Sequence, residues 1–259
     1  MSVLAVYSNK GGVGKTATAV NLAYLSATSG EKTLIIDLDP QGSASFYFRV
    51  KPKLKSKSKG LTKASKVEKS VQATDFEGLE ILPADLSHRN LDLTFSDAKK
   101  SKQRLNKVLK PLGKSYDLIV LDCPPTLTVL AENVFGVADV VLVPLVPTTL
   151  SVRSYKQLVA FMDEQGYDEA KLRPFLTMVD ARKKLHKETV AALRAELPSL
   201  LENIVPYRSQ VEQMGLKRQP LPAYAPRSGA AKAYGRLWQE VAGLLELLKQ
   251  PCGLKFYKS

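Results

Sequence analysis

The chain has 259 residues, 38 Lys and Arg against 25 Asp and Glu, and a formal net charge of +13. An apolar share of 44% with 24% charged residues excludes wholesale disorder. Fifteen Gly and fifteen Pro exclude a collagen-like chain, and only two cysteines, Cys123 and Cys252, exclude both a disulfide framework and a four-cysteine metal site. The charge points to a polyanionic partner, either nucleic acid or an anionic membrane face.

In chain order, Val3–Tyr7 is a short apolar run that ends in a glycine loop. A helix follows from about Lys15 to Ser29, with Ala19, Leu22, Ala23 and Ala27 at helical spacing and Gly30 as its stop. Further strands are predicted at Thr33–Asp37, Leu79–Leu82, Asp117–Asp122, Val140–Leu145 and Pro174–Val179, with a short seventh candidate at Ile204–Val205. Helical patterns lie near Ser87–Leu112, Thr128–Val137, Ser151–Gln165, Lys187–Leu201 and Ala230–Lys249. Continuous apolar strands separated by helices predict an α/β fold, a mostly parallel twisted sheet with helices on both faces. There is no internal repeat and no evident domain boundary. The expectation is one domain over residues 1–250 and a short tail at 251–259. No apolar run approaches 18 residues and the N-terminus lacks the marks of a signal peptide, so a cytoplasmic protein is expected.

From Arg49 to Lys69 there are nine basic residues and one acid, Glu68. This insert reads either as a solvated loop or as an electrostatic arm for phosphates. A second basic stretch, Lys99–Lys114, carries seven basic residues and no acid, and reads as the exposed face of a helix.

The densest signal is Asn9-Lys10-Gly11-Gly12-Val13-Gly14-Lys15-Thr16, between a strand and a helix. Glycines let successive backbone N–H groups turn inward around phosphates, and the helix N-terminus adds its positive dipole end. Lys15 would reach the β- and γ-phosphates, and the Thr16 hydroxyl would ligate Mg²⁺. Asn9 stands where the ordinary phosphate loop has its first glycine, and a second lysine, Lys10, lies beside it.

In these residues the sequence resembles the ParA/MinD-type deviant Walker A ATPases, closest to the small ParA-like partition ATPases, whose loop reads K-G-G-x-x-K-[ST]. The resemblance runs from Val3 to about Leu248. It implies a P-loop NTPase that binds ATP and Mg²⁺ through the loop residues Lys10, Gly11, Gly12, Val13, Gly14, Lys15, Thr16 and Ala17. It also implies that Lys10 crosses a homodimer interface to the partner's phosphates. Asp37-Leu38-Asp39-Pro40-Gln41-Gly42 matches the family's D-x-D-P-Q-G segment, which makes Asp39 the water-orienting group and places Asp37 near the Mg²⁺ shell. Leu118–Pro125 is similar to the family's Walker B strand, with Asp122 holding the Mg²⁺ shell and Cys123 a small buried residue. Met178, Asp180, Pro206 and Arg208 fall where the family packs against adenine.

The resemblance further implies an ATP-dependent homodimer that binds double-stranded DNA without sequence preference. A ParB-like or other adaptor would stimulate hydrolysis, so that a plasmid, chromosome origin or protein body is segregated or positioned. Arg182 matches a surface arginine of the small ParA proteins, with Lys183 beside it as a further DNA contact, while a second such position is Gln210, for which Arg208, Lys217 and Arg218 are the substitutes. Because the loop begins at residue 9, no N-terminal DNA-reading domain is expected. Two alternatives stand beside this reading. One is a MinD-like, membrane-associated ATPase. It is disfavoured because the apolar stripe Leu237, Val241, Leu244, Leu245 and Leu248 reads as a core-packing helix ended by Pro251. The other is a nucleotide-gated DNA-binding scaffold with negligible hydrolysis.

Overall fold

The structure is a computed structural model of the full chain, and residues 1–51, 64–84 and 103–250 are described. Seven strands, β1 (Ser2–Val6), β2 (Thr33–Asp37), β3 (Gln72–Ala73), β4 (Leu79–Leu82), β5 (Leu118–Asp122), β6 (Val140–Leu145) and β7 (Leu172–Leu176), form one sheet. Their order is β3-β4-β2-β5-β1-β6-β7. Every pairing is parallel except the short edge pair β3–β4.

The described helices are α1 (Lys15–Thr28), α2 (Ser43–Tyr47), α3 (Ala64–Ser70), α4 (Arg104–Leu109), α5 (Val129–Val137), α6 (Thr149–Glu164), α7 (Lys184–Glu196), α8 (Ser209–Glu212), α9 (Met214–Lys217), α10 (Leu221–Tyr224) and α11 (Gly229–Lys249). Strands β1, β2, β5 and β6 are buried along their whole length, because both sheet faces are covered. Their side chains alternate between two cores. Val3, Ala5, Tyr7, Leu34, Ile36, Ile119 and Leu121 pack with Val134, Phe135 and Leu158 of α5 and α6. Leu4, Val6, Ile35, Leu118 and Val120 pack with Val20, Leu22 and Ala23 of α1 and with Leu237, Trp238 and Val241 of α11. Each fully buried Leu, Ile or Val contributes about 1.5–3 kcal/mol of hydrophobic free energy.

Four expectations need correction. The strand expected at Pro174–Val179 is Leu172–Leu176, starting two residues earlier and ending three earlier, the end because Met178 takes a left-handed conformation (φ 53°) that no strand can carry. The helix expected at Lys187–Leu201 is Lys184–Glu196, since Pro198 cannot continue it. Ile204–Val205 forms no strand. Its neighbour Pro206 makes an isolated parallel bridge to Val179, and Val205 N–H donates to Leu176 O at 2.9 Å. In α11, Leu237, Val241 and Leu245 are buried as expected, but Leu248 is exposed. Of the helix expected near Ser87–Leu112, the part up to residue 102 lies outside the described residues. The remainder is α4 and a 3-10 turn, Lys110–Lys114, with Leu105, Val108, Leu109 and Leu112 buried and Lys107, Lys110 and Lys114 exposed. The basic residues 53–63 and the tail 251–259 also lie outside the described residues.

Candidate nucleotide site

Three adjacent strands end side by side. In register, Val6 of β1 pairs with Asp122 of β5, and Asp122 pairs with Asp37 of β2. The glycine loop leaves β1 at that level and feeds α1 at the centre of the sheet, where strands on either side run out in opposite order. Such a switch point at the carboxyl ends of parallel strands is where α/β sheets bind ligands.

Gly12 (φ 71°) and Gly14 (φ 85°) are left-handed, which a side chain would strain. A Cβ at Gly11 or Gly12 would meet no protein atom within 4 Å, so the space beside the loop is open to a ligand. Gly14 is the N-cap of α1, with no side-chain cap and no acid in the first turn. The N-terminal amides of a 14-residue helix are therefore left for an anion. Lys15 is 7% exposed, and burial lowers its pKa against the opposing pull of Asp122, Cys123 and Asp39. Its Nζ donates to Lys10 O at 3.1 Å. The Lys10 side chain makes one long hydrogen bond, 3.5 Å, to Thr148 Oγ1. The Ser154 hydroxyl donates to the Asn9 side chain, so the loop and the start of α6 are tied together.

Asp37 and Asp122 are fully buried. Asp37 Oδ1 and both carboxylate oxygens of Asp122 have no hydrogen-bond partner. Burial pushes Asp37 up to about 6, against two bonds from Ser45 that act downward. Asp122 is pushed well above the usual carboxylate range by burial first and by Asp37 second, while the nearby Thr16 hydroxyl acts the other way. Buried carboxylate oxygens left bare, one on Asp37 and two on Asp122, cost several kcal/mol unless a cation sits with them. The donor set is all oxygen, which suits a hard divalent cation. Among the described residues no cluster of three or more His, Cys, Asp or Glu closes on one point. A cation here would draw its other ligands from phosphate and water, the usual mode for Mg²⁺. The residues present fit a magnesium–nucleotide group.

Asp39 is half-buried, and its Oδ1 accepts from Gln41 N–H at 2.9 Å in a tight turn. Burial pushes the Cys123 thiol well up, which leaves it protonated and inert.

The segments expected near the base do come together. Met178 lies over the loop, with its Cε 3.5 Å from where a Cβ of Gly14 would stand. Pro206 bridges to Val179, and Tyr207 N–H donates to Val179 O at 3.0 Å. The Asp180 carboxylate, however, is taken by Arg182, whose Nε and Nη2 each donate at 2.9 Å. That pairing holds Asp180 well below the usual carboxylate range. Arg208 is exposed and donates to its neighbour Tyr207 O at 3.0 Å.

Arg182, Lys183 and Lys217 are exposed, as a phosphate contact requires. Arg218 is not a free surface cation. It stacks over Phe46 at 4.6 Å, and its Nε donates to Phe46 O at 3.1 Å. Sequence reasoning missed Phe46, Ser45, Thr148 and Ser154. Phe46, Thr148 and Ser154 act through contacts between distant parts of the chain, and Ser45 through a bond to Asp37 eight residues back that no local motif marks.

A sheet with this switch point, an open glycine loop and buried carboxylates at the ends of β5 and β2, the next two strands on one side of β1, defines a P-loop nucleotide-binding protein. The family described as an AAA domain matches residues 1–173. The chromosome partitioning protein ParA of Myxococcus xanthus is 30% identical over 248 residues, covering 92% of this chain and 87% of that protein. Among solved structures, a Cyanothece McdA variant in complex with ATP superposes with a TM-score of 0.79 at 22% identity, covering 97% of this chain and 98% of that one. Cobyrinic acid a,c-diamide synthase of Mycobacterium smegmatis, with bound ADP and magnesium, gives 0.77 at 24% identity, with 93% and 94% covered. The chain belongs to the ParA family of deviant Walker A ATPases.

Proposed function

We propose that this protein is a Mg²⁺-dependent ATP hydrolase of the ParA type that positions a cargo on DNA. The observation that carries this reading is the pair Asp37 and Asp122, buried and with carboxylate oxygens left bare beside an open phosphate loop. Solved relatives of the fold carry ATP, or ADP with magnesium, which supports the same nucleotide here.

The loop amides from Gly11 to Ala17 would cradle the phosphates, and Lys15 would give its proton-rich end to the β- and γ-oxygens. Thr16, Asp37 and Asp122 would hold Mg²⁺ and its water shell. When bound, that ion neutralises charge on the β- and γ-phosphates. Asp39, on its turn beyond β2, would orient the attacking water. Lys10 is held in its own subunit by a single long bond, so its side chain can leave to reach a partner's phosphates across a homodimer. A cation supplied in trans stabilises the charge that builds on the leaving group. Met178, Pro206 and Arg208 would flank the base.

Arg182, Lys183, Arg208 and Lys217 would contact the phosphates of double-stranded DNA without reading bases. Arg218 would contribute mainly by bracing α2. Dimerisation doubles the number of such contacts, which makes DNA binding depend on ATP. A ParB-like or other adaptor would then stimulate hydrolysis and release the dimer. The protein would work in the cytoplasm on the nucleoid. No helix among the described residues is long and apolar enough to cross a membrane.

Titration of two unrelated duplexes over a salt series, with ATP and with ADP, tests this reading. The expected result is tight binding with ATP only, equal for both sequences, with log K falling against log salt at a slope of about −5 for roughly six contacts. Equal affinity in both nucleotides, or preference for anionic vesicles over DNA, would overturn it.

A further inference from the structure

Ser45 lies in α2, eight residues beyond Asp37, and is 4% exposed. Its backbone N–H and its hydroxyl both donate to Oδ2 of Asp37, at 2.8 and 2.7 Å. The hydroxyl oxygen in turn accepts from Ala84 N–H at 2.9 Å. A serine has one hydroxyl proton, and this acceptor bond directs it at Asp37. A carboxylate is planar, so two donors on one oxygen fix the place of the other. That other oxygen, Oδ1, is buried and has no partner, and Asp37 stands across the ladder from Asp122.

We propose that Ser45 is the positioning residue of the cation site, clamping Oδ2 of Asp37 so that Oδ1 is presented beside Asp122 to the magnesium shell. This rests on the reading of the site as a magnesium–nucleotide site. Ser45 touches neither nucleotide nor cation and acts through Asp37 alone.

The element that carries Ser45 is fixed for the task. A five-residue helix has too few bonds to hold itself. Here α2 is pinned at its middle residue by the Asp37 clamp and at the next by Arg218, whose guanidinium covers Phe46. Arg49 Nε then donates to Arg218 O at 3.2 Å, and Phe48 is buried at the end of α2. Both arginines take left-handed backbone conformations, φ 60° and 52°, that favour glycine. Such strain persists where surrounding contacts over-determine it. Outer contacts of this kind, on a braced element, keep a ligating group in place.

Fluorescence titration of the full chain with N-methylanthraniloyl-ADP, in EDTA and over a Mg²⁺ series, tests the proposal. Ser45→Ala should bind the probe in EDTA as the unmutated protein does. The Mg²⁺ concentration that half-maximally tightens binding should rise about tenfold, the usual effect of losing an outer-shell partner. Ser45→Thr, which keeps the hydroxyl, should restore the original midpoint. Ser45→Cys, close in volume but a poor donor, carries the same expectation as alanine and covers failure of Ser45→Ala to fold. In an Asp37→Asn background, Ser45→Ala should add no further rise, because its route to the cation is gone. An unchanged midpoint in Ser45→Ala, no recovery with threonine, or an additive shift in the Asp37→Asn background would each overturn the proposal. A natural sequence whose probe affinity ignores Mg²⁺ would overturn the reading of the site itself, so the two failures are told apart.

Discussion

Three aspartates at the carboxyl side of the sheet meet two different fates. Asp37 and Asp122 are buried at the ends of β2 and β5 and have oxygens with no partner. Asp180 lies a few residues past β7, and Arg182 binds both its oxygens. The first pair stores an electrostatic cost that the protein alone does not relieve; the second is satisfied by a near neighbour in the chain. An incomplete buried polar group marks where a ligand belongs, while a self-satisfied ion pair at the surface contributes little to stability. The nucleotide end and the basic rim should therefore answer differently to mutation.

The largest contrast is expected from Lys10→Ala. It should leave ATP binding intact, abolish ATP-induced dimers in sedimentation, and lower hydrolysis by about 10³-fold, the scale of a trans-acting cation. Normal ATP-dependent dimers would end the trans role. Asp39→Ala should lower adaptor-stimulated turnover by about 100-fold and trap an ATP-bound dimer, since water positioning is worth that order. Turnover at the original rate would remove Asp39 from that part. Lys15→Ala should weaken ATP affinity about 100-fold, the ~3 kcal/mol of a charge-assisted bond. At the rim, Arg182→Ala should leave ATP affinity alone and remove two DNA contacts from a dimer, making the salt slope shallower by about 2. An unchanged slope would mean that Asp180 keeps Arg182 away from DNA.

The sequence carried the phosphate loop openly, because glycine positions, a lysine and a threonine at fixed spacing are themselves the chemistry. Asp37 and Asp122 were legible for a related reason: an acid closing a continuous apolar strand has no solvent to meet. The sheet was legible from those same runs. Other features depend on tertiary contacts that leave no local trace. Met178 ends β7 early by adopting a left-handed conformation, though its residue type gives no sign of it. Thr148 and Ser154 reach Lys10 and Asn9 across 138 and 145 residues of chain. Arg218 reads as one more surface cation until Phe46 is found beneath it, 172 residues away. The edge strand β3 is two residues long and leaves no mark in the sequence, having too few positions to show a period.

The central claim is that Asp37 and Asp122 are carboxylates held in waiting for a cation. The folded-state pKa of Asp37, about 6, lies above its ordinary value of 3.8. A raised pKa means that its contribution to stability is complete below about pH 4 and is lost as pH rises through about 6. The loss is about 3 kcal/mol, taking 1.36 kcal/mol per pKa unit. Asp122 acts in the same direction. An amide at position 37 carries no charge to bury. Thermal unfolding of the natural sequence and of Asp37→Asn, from pH 4 to 7.5, with and without Mg²⁺ and ADP, measures this directly. The account predicts that the nucleotide-free variant becomes the more stable of the two as pH rises from about 4 to 6 and keeps that lead above 6, and that Mg²⁺ with ADP reverses the order. A variant that is less stable than the natural sequence at neutral pH without ligand, or that gains as much from Mg²⁺ and ADP, would contradict it.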